Sequence, residues 1–202
     1  MPIQNQPNRR AATIADRGPA PLIIRAEHEA DGPAREALLD ACFGANRMTR
    51  TCQRLRDGRL AAEGLAFSAI QRGRLVGTVR LWHVMAGGRA ALMLGPLAVA
   101  PACRKLGLGA ALMAHALAAA RARGHGAVIL LGDAPYYARF GFAAGPAARL
   151  VLPGPFERHR LLALELAAGA LEGAHGLVLA TGRAAPRPQA GPARAWPRPR
   201  AA

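Results

Sequence analysis

The chain has 202 residues and a formal net charge of +15; 51% of its residues are hydrophobic and 4% aromatic. That hydrophobic share excludes a largely disordered protein, and so few aromatics argue against an all-β sandwich. No apolar run approaches the roughly 20 residues that a bilayer-spanning helix needs, so no membrane partner is expected.

Residues 1–19 carry Arg9, Arg10 and Arg17 but no apolar stretch of the kind a secretory signal requires. They are expected to form a disordered tail. Residues 20–181 alternate strand and helix signals and are expected to fold as one domain. A short apolar run at 22–24 reads as the first strand. Asp31-Gly32-Pro33 opens a helix through about Phe43, because proline is favoured in a first helical turn. A second, more polar helix is expected at 49–57. Segments 65–72 and 74–85 flank Gly73 as a hairpin, and Gly87-Gly88 turns the chain into a third antiparallel strand at 91–99. Within that strand Gly95-Pro96 predicts a bulge or break, since proline has no N–H for the ladder.

Beyond Pro101 the period changes. Apolar positions 108, 112, 113, 116, 117 and 120 have helical spacing, and Gly124 stands where a C-terminal cap belongs. A strand at 127–131, a short helix at 135–140, a strand at 161–166 and an extended segment at 176–180 follow. A strand, a helix and a strand in this order imply a parallel crossover, so the fold class is α/β with a mixed sheet. Residues 182–202 hold five Arg, five Pro and seven Ala without an acid, and are expected to be a second disordered tail. Arg-rich tails can bind nucleic acid. Here Ala, Arg, Gly and Pro dominate the whole chain, so composition alone accounts for the tail and nucleic acid is not the expected partner. Cys42, Cys52 and Cys103 form no CxxC and no zinc-ligand cluster, which suits a reducing cytoplasm and predicts no metal.

The chemistry-bearing segment joins strand 91–99 to the helix at 108. It holds Arg104, Lys105, Leu106, Gly107, Leu108, Gly109 and Ala110. A first helical turn has unpaired N–H groups and the positive end of the helix dipole, and glycine lets a ligand approach the backbone. With two basic side chains beside it, this is an anion site suited to a pyrophosphate. It is not a Walker A loop, because no Lys-Ser/Thr follows the glycines. A dinucleotide loop would follow its strand directly, and Leu112 occupies the third small position. A coenzyme A pyrophosphate loop, R/Q-x-x-G-x-G/A after V-x-P, matches at every position. A glycine-eased turn with no ligand is the remaining reading.

Three segments in order (residues 95–101, 104–109 and 131–142) make the chain resemble the GNAT superfamily of acetyl-CoA-dependent N-acetyltransferases. Within it the chain is similar to a bacterial group carrying G-P-L-A-V-x-P, the loop, and L-G-D-x-x-Y-Y-x-R-F-G-F. The resemblance covers about residues 20–180. It implies a mixed, mostly antiparallel central sheet with helices on both faces, whose strands splay to admit the pantetheine arm. It implies that Leu97 and Val99 offer backbone groups to pantetheine, with the Val99 N–H facing the thioester oxygen. It implies that the amides of residues 105–110 wrap the pyrophosphate.

By the same resemblance Tyr137 lies near the coenzyme sulfur, where its hydroxyl protonates the departing thiolate or holds a water beside it. Phe140 and Phe142 read as core, Tyr136 as structural, and Arg139 faces either the coenzyme phosphates or solvent. Many family members place a Glu on the strands near the acetyl group, but 91–99 contains no acid. Asp133 is the nearest candidate base, with helix N-cap as its competing role; His83 is a more distant one. Glu27, Glu36 and Asp40 are candidates to meet a cationic amine, though a solvated helix face explains them equally. The expected activity is cytoplasmic transfer of acetyl from acetyl-CoA to an amine, on a small molecule or a protein, by direct attack in a ternary complex of a monomer or homodimer. The competing functions are a non-catalytic acyl-CoA-binding module and a basic nucleic-acid-binding protein.

Overall fold

The protein is represented by a computed structural model that describes residues 21–186. The tail expected at 1–19, and residues 187–202 of the tail expected at 182–202, lie outside the described residues. Eight strands form one mixed sheet: β1 (Leu22–Ala26), β2 (Ala66–Gln71), β3 (Arg74–Ala86), β4 (Arg89–Val99), β5 (Ala127–Leu131), β6 (Leu150–Val151), β7 (Leu161–Glu165) and β8 (Gly176–Ala180). The main order is β1-β2-β3-β4-β5-β7, and β8 pairs with both β3 and β6. All pairings are antiparallel except β4 with β5 and β6 with β8. The hairpins β2–β3 and β3–β4 close through two-residue turns, Arg72-Gly73 and Gly87-Gly88, with positive φ at all four positions. That backbone twist matches the twist of the strands it joins.

The helix α2 (Leu108–Ala122) makes the crossover from β4 to β5. Its buried residues are the predicted stripe, Leu108, Leu112, Met113, Ala116, Leu117 and Ala120, packed on Phe67, Val79, Leu92 and Val128. Gly77 lets α2 approach closely, since a Cβ there would stand 2.9 Å from a Leu112 methyl. The helix α1 (Gly32–Phe43) covers the opposite face, with Leu38 and Leu39 against Ala98 and Leu75. Asp31 pins the start of α1 to the sheet. Its carboxylate takes two hydrogen bonds from Arg25, at 2.7 and 2.8 Å, and one from the buried Ser68 hydroxyl at 2.9 Å.

Three expectations need correction. Residues 49–57 are not an α-helix: two 3₁₀ turns, Ala45–Thr49 and Thr51–Leu55, meet at an extended Arg50. The β-branched Thr49 and Thr51 disfavour a continuous helix, and the buried Cys52 and Leu55 are spaced by the 3₁₀ period. The short helix α3 is Ala134–Ala138, with Gly141 beyond it at φ +89°. The boundary at 181 is too early. Leu60 N–H donates to Arg183 at 2.9 Å and Ala185 N–H to Gly58 at 2.8 Å, so 182–185 are bonded into the fold.

The sheet opens where β4 and β5 part. They pair at Leu92↔Val128 and Met93↔Ile129 only, although β4 runs on to Val99 and β5 to Leu131. The expected irregularity at Gly95-Pro96 is a bulge: Val79 faces Leu97 and Leu81 faces Leu94, so Gly95 and Pro96 together oppose Arg80. The Gly95-Pro96 peptide is cis. The buried Trp82 indole N–H donates to the Gly95 carbonyl and holds the bulge in place.

Candidate active site

The parting strands enclose a cleft of about 1170 Å³, bordered by Leu94, Leu97, Val99, Leu131, Asp133 and Tyr137 among others. A smaller recess of about 380 Å³ adjoins it at the start of α2. The recess is lined by Val99, Arg104, Lys105, Gly107, Leu108, Gly109, Ala110, Tyr136 and Arg139. The structure therefore brings together every predicted loop residue but one. Leu106 is 73% exposed and its side chain lies outside the lining.

The loop is shaped by two left-handed residues, Lys105 (φ 63°) and Gly107 (φ 78°). Residues of this kind, alternating with ordinary ones, turn successive N–H groups to one side and make a concavity for anions. The amides of Leu108, Gly109 and Ala110 follow as the first turn of α2, where no intrahelical carbonyl is available to them. Ala111 is the first to bond back, to Gly107 at 3.0 Å. Arg139 donates from Nε to the Tyr136 carbonyl at 2.9 Å and lies 4.1 Å above the Tyr136 ring. Arg139 is exposed and also borders the recess.

The backbone of β4 supplies the second set of polar groups. Ala100 N–H donates to Val76 on β3 at 2.8 Å. In an antiparallel ladder the bonded residues alternate, so Ala98 also faces β3 while Leu97 and Val99 face away. That side is the one β5 has left. The Val99 carbonyl there accepts the Cys42 thiol and the Arg104 Nε, each at 3.4 Å.

Tyr137 stands across the cleft on α3. Its ring lies against Gly132, where a Cβ would come within 2.2 Å of Cε2, and edge-on to Tyr136 at 4.9 Å. Burial, with Tyr136 and Asp133 adding to it and Arg160 opposing, pushes the Tyr137 hydroxyl up to about 12. Asp133 occupies the N-cap position of α3, yet its side chain makes no cap hydrogen bond. The carboxylate is exposed and borders the cleft. His83 does not border it, and lies instead against His125, with the rings tilted and their centroids 5.3 Å apart.

The acids proposed to meet an amine lie elsewhere. Glu27 is held by Arg35 and Arg80, Glu36 by Arg35 and Arg47, and Asp40 by Arg47. Sequence reasoning missed Glu157, an exposed acid bordering the cleft and 3.4 Å from Arg160. It also missed Arg50 and Arg56, brought to the cleft by the 3₁₀ turns. Tyr136 was read as structural but borders both spaces, with its hydroxyl 3.0 Å from where a Gly109 Cβ would be. No local motif marks these positions.

The sequence model of the Acetyltransferase (GNAT) family matches residues 33–142. The chain belongs to the GNAT family. Its relative in Escherichia coli strain K12, the uncharacterized N-acetyltransferase YhbS, is 34% identical over 164 residues, covering 78% of this chain and 95% of that protein. The crystal structure of YhbS in complex with CoA has a TM-score of 0.69 at 30% identity, covering 82% of this chain and 92% of that one. A GNAT family acetyltransferase from Brucella melitensis, in complex with acetyl-CoA, has a TM-score of 0.54 at 27% identity, covering 72% of this chain and 96% of the other. This GNAT chain is thus an acyltransferase by family, with the mixed, mostly antiparallel sheet that its motifs implied. Among the described residues no helix is long and apolar enough to cross a membrane.

Proposed function

We propose that the protein transfers an acetyl group from acetyl-CoA to a primary amine by direct attack in a ternary complex. The observation that carries this reading is the parting of β4 from β5 directly beside the anion loop. It leaves the Leu97 backbone and the Val99 N–H facing an open edge, where an extended amide chain can pair as a missing strand would. The loop amides of residues 105–110 take the pyrophosphate, with Arg104, Lys105 and Arg139 around it.

The amine nitrogen attacks the thioester carbonyl; a C–N bond forms and the C–S bond breaks. Negative charge builds first on the carbonyl oxygen, where the Val99 N–H is the donor. It then moves to sulfur, opposite Tyr137. A phenol held at about 12 is a weaker acid than an ordinary thiol at about 8.5, so outright proton transfer to the thiolate is uphill. Tyr137 therefore donates a hydrogen bond as charge grows, and the thiolate takes its proton from solvent. The attacking amine loses its proton toward Asp133 through water. No acyl-cysteine is needed: burial pushes the Cys52 thiol up and makes it a poor nucleophile.

The test is release of free thiol from acetyl-CoA across a panel of primary amines. Amine-dependent release, saturable in both substrates, is expected. Coenzyme binding without such release would replace this reading with a non-catalytic binding module.

A further inference from the structure

The cleft contains a largely buried cation that has no ion-pair partner among the described residues. Arg56 follows the second 3₁₀ turn, and its Nε is enclosed with no hydrogen-bond partner. Its Nη2 reaches to 3.8 Å of where a Cβ on Gly95 would project, beside the bulge of β4. Among the described residues no carboxylate pairs with it. The neighbouring Asp57 instead accepts from Gln53 at 2.7 Å. The other arginines at the cleft are engaged. Arg47 holds Glu36 and Asp40 at 2.6 Å, Arg160 reaches Glu157, Arg104 reaches Val99, and Arg50 donates to the Phe43 carbonyl at 3.3 Å.

A buried guanidinium without an anion is costly, and it remains charged because its proton is held too tightly to lose. Desolvation pulls its pKa below the ordinary value; the Cys52 thiol and Asp57 nearby oppose that only in part, and Arg50 adds to it. The missing anion is not the coenzyme pyrophosphate. Gly95 lies four residues up the strand from Val99, about 13 Å at strand rise, on the side away from the loop. Asp133 and Glu157 border the same cleft and suit an ammonium group. One planar fork matches one carboxylate in a bidentate pair.

We infer that the acetyl acceptor is a small amine bearing a carboxylate, and that Arg56 is the residue that receives this carboxylate. The inference rests on the acetyltransfer reading above and names the acceptor class for the same cleft.

The experiment compares matched acceptors with the full chain and acetyl-CoA: glycine against glycinamide, β-alanine against its amide, phenylalanine against its amide, and phosphoethanolamine against ethanolamine. In the wild type the acid of each carboxylate pair is expected to exceed its amide in kcat/KM by about 100-fold, because the amide leaves Arg56 unpaired. In Arg56→Gln that ratio collapses toward one while acetyl-CoA affinity stays within about threefold. Arg56→Lys keeps the charge without the fork and recovers only part of the ratio. The substitution removes an uncompensated charge, so the free Arg56→Gln protein should melt no lower than wild type. A wild-type ratio near one, a ratio unchanged in Arg56→Gln, or a preference confined to phosphoethanolamine overturns the inference. If no amine at all is acetylated, the acetyltransfer reading has failed, and the carboxylate is judged by binding alone. CoA-saturated protein is then melted with N-acetylglycine or N-acetylglycinamide. A rise with the acid alone, lost in Arg56→Gln, supports the inference; equal rises, or none, overturn it.

Discussion

At the Lys105–Gly107 end of the cleft the polar groups belong to the backbone; at the Arg56 end they belong to side chains. The first end is one continuous run, from β4 through a left-handed turn into α2. The second is assembled from the 3₁₀ turns, the bulge of β4, the start of α3 and the segment holding Glu157. A backbone-built site depends on φ and ψ, so it should respond to conformation and ignore most side chains. A side-chain-built site should respond to single functional groups and leave coenzyme affinity alone.

The largest effect on acetyl-CoA affinity should come from Gly107→Val. Nothing lies within 4 Å of the added Cβ, so the damage comes from φ +78° rather than from a clash. A β-branched residue leaves that region and carries the amides out of the concavity. Calorimetry should find acetyl-CoA affinity down by about 100-fold, with the melting temperature little changed because the loop is exposed. Lys105→Gly is the matched contrast, since it deletes a charge but keeps the left-handed backbone available. It should cost no more than about threefold, and a loss equal to that of Gly107→Val would show that side-chain charge carries the site. Gly109→Ala falls between them. Its methyl meets the Tyr136 hydroxyl at 3.0 Å, and the ring must give by a few tenths of an ångström. About a three- to tenfold loss of acetyl-CoA affinity is expected. The smallest effect should be trimming to residues 21–186, which leaves both ends of the cleft intact. Acetyl-CoA affinity and melting temperature should match those of the full chain, and a clear loss of either would implicate the removed residues.

The contrast also explains how much was legible in the sequence. The α2 stripe at 108, 112, 113, 116, 117 and 120, the strand 127–131 and the loop glycines are local patterns whose periodicity or φ demand is written in consecutive residues. The splay of β4 from β5 followed from family resemblance, and the bulge from a proline that cannot donate to a ladder. Arg50, Arg56 and Glu157 had no such signal. Arg50 and Arg56 reach the cleft only because the 3₁₀ turns fold onto the sheet there, and Glu157 arrives from the segment before β7. The helix expected at 49–57 is instead a 3₁₀ turn followed by Arg56. Glu27, Glu36 and Asp40 failed for the complementary reason: arginines had already paired them, Arg80 from β3 for Glu27 and Arg35 or Arg47 from nearby in the chain for the other two.

Titration offers a sharper view of the side-chain end. With its hydroxyl at about 12, Tyr137 keeps its proton through the alkaline range in which an amine becomes nucleophilic. The rate should therefore rise with pH as the acceptor loses its proton, and show no falling limb near pH 10, where an ordinary phenol would begin to ionise. The same raised value favours the folded state below about pH 10, and that contribution is lost as pH climbs from there toward 12. A melting curve followed across this window should decline more steeply for wild type than for Tyr137→Phe.

The division of the cleft is tested most directly by measuring kcat and acetyl-CoA affinity on two variants of adjacent tyrosines. Tyr137→Phe removes the hydroxyl opposite the departing sulfur, which matters only once charge has built there. It should lower kcat about 10- to 10³-fold and leave acetyl-CoA affinity within about threefold. Tyr136→Phe removes a hydroxyl that lies over the first turn of α2. It should weaken acetyl-CoA binding by up to about fivefold and leave kcat near wild type. Equal activity in the two variants, or a Tyr137→Phe defect confined to acetyl-CoA binding, would contradict the account.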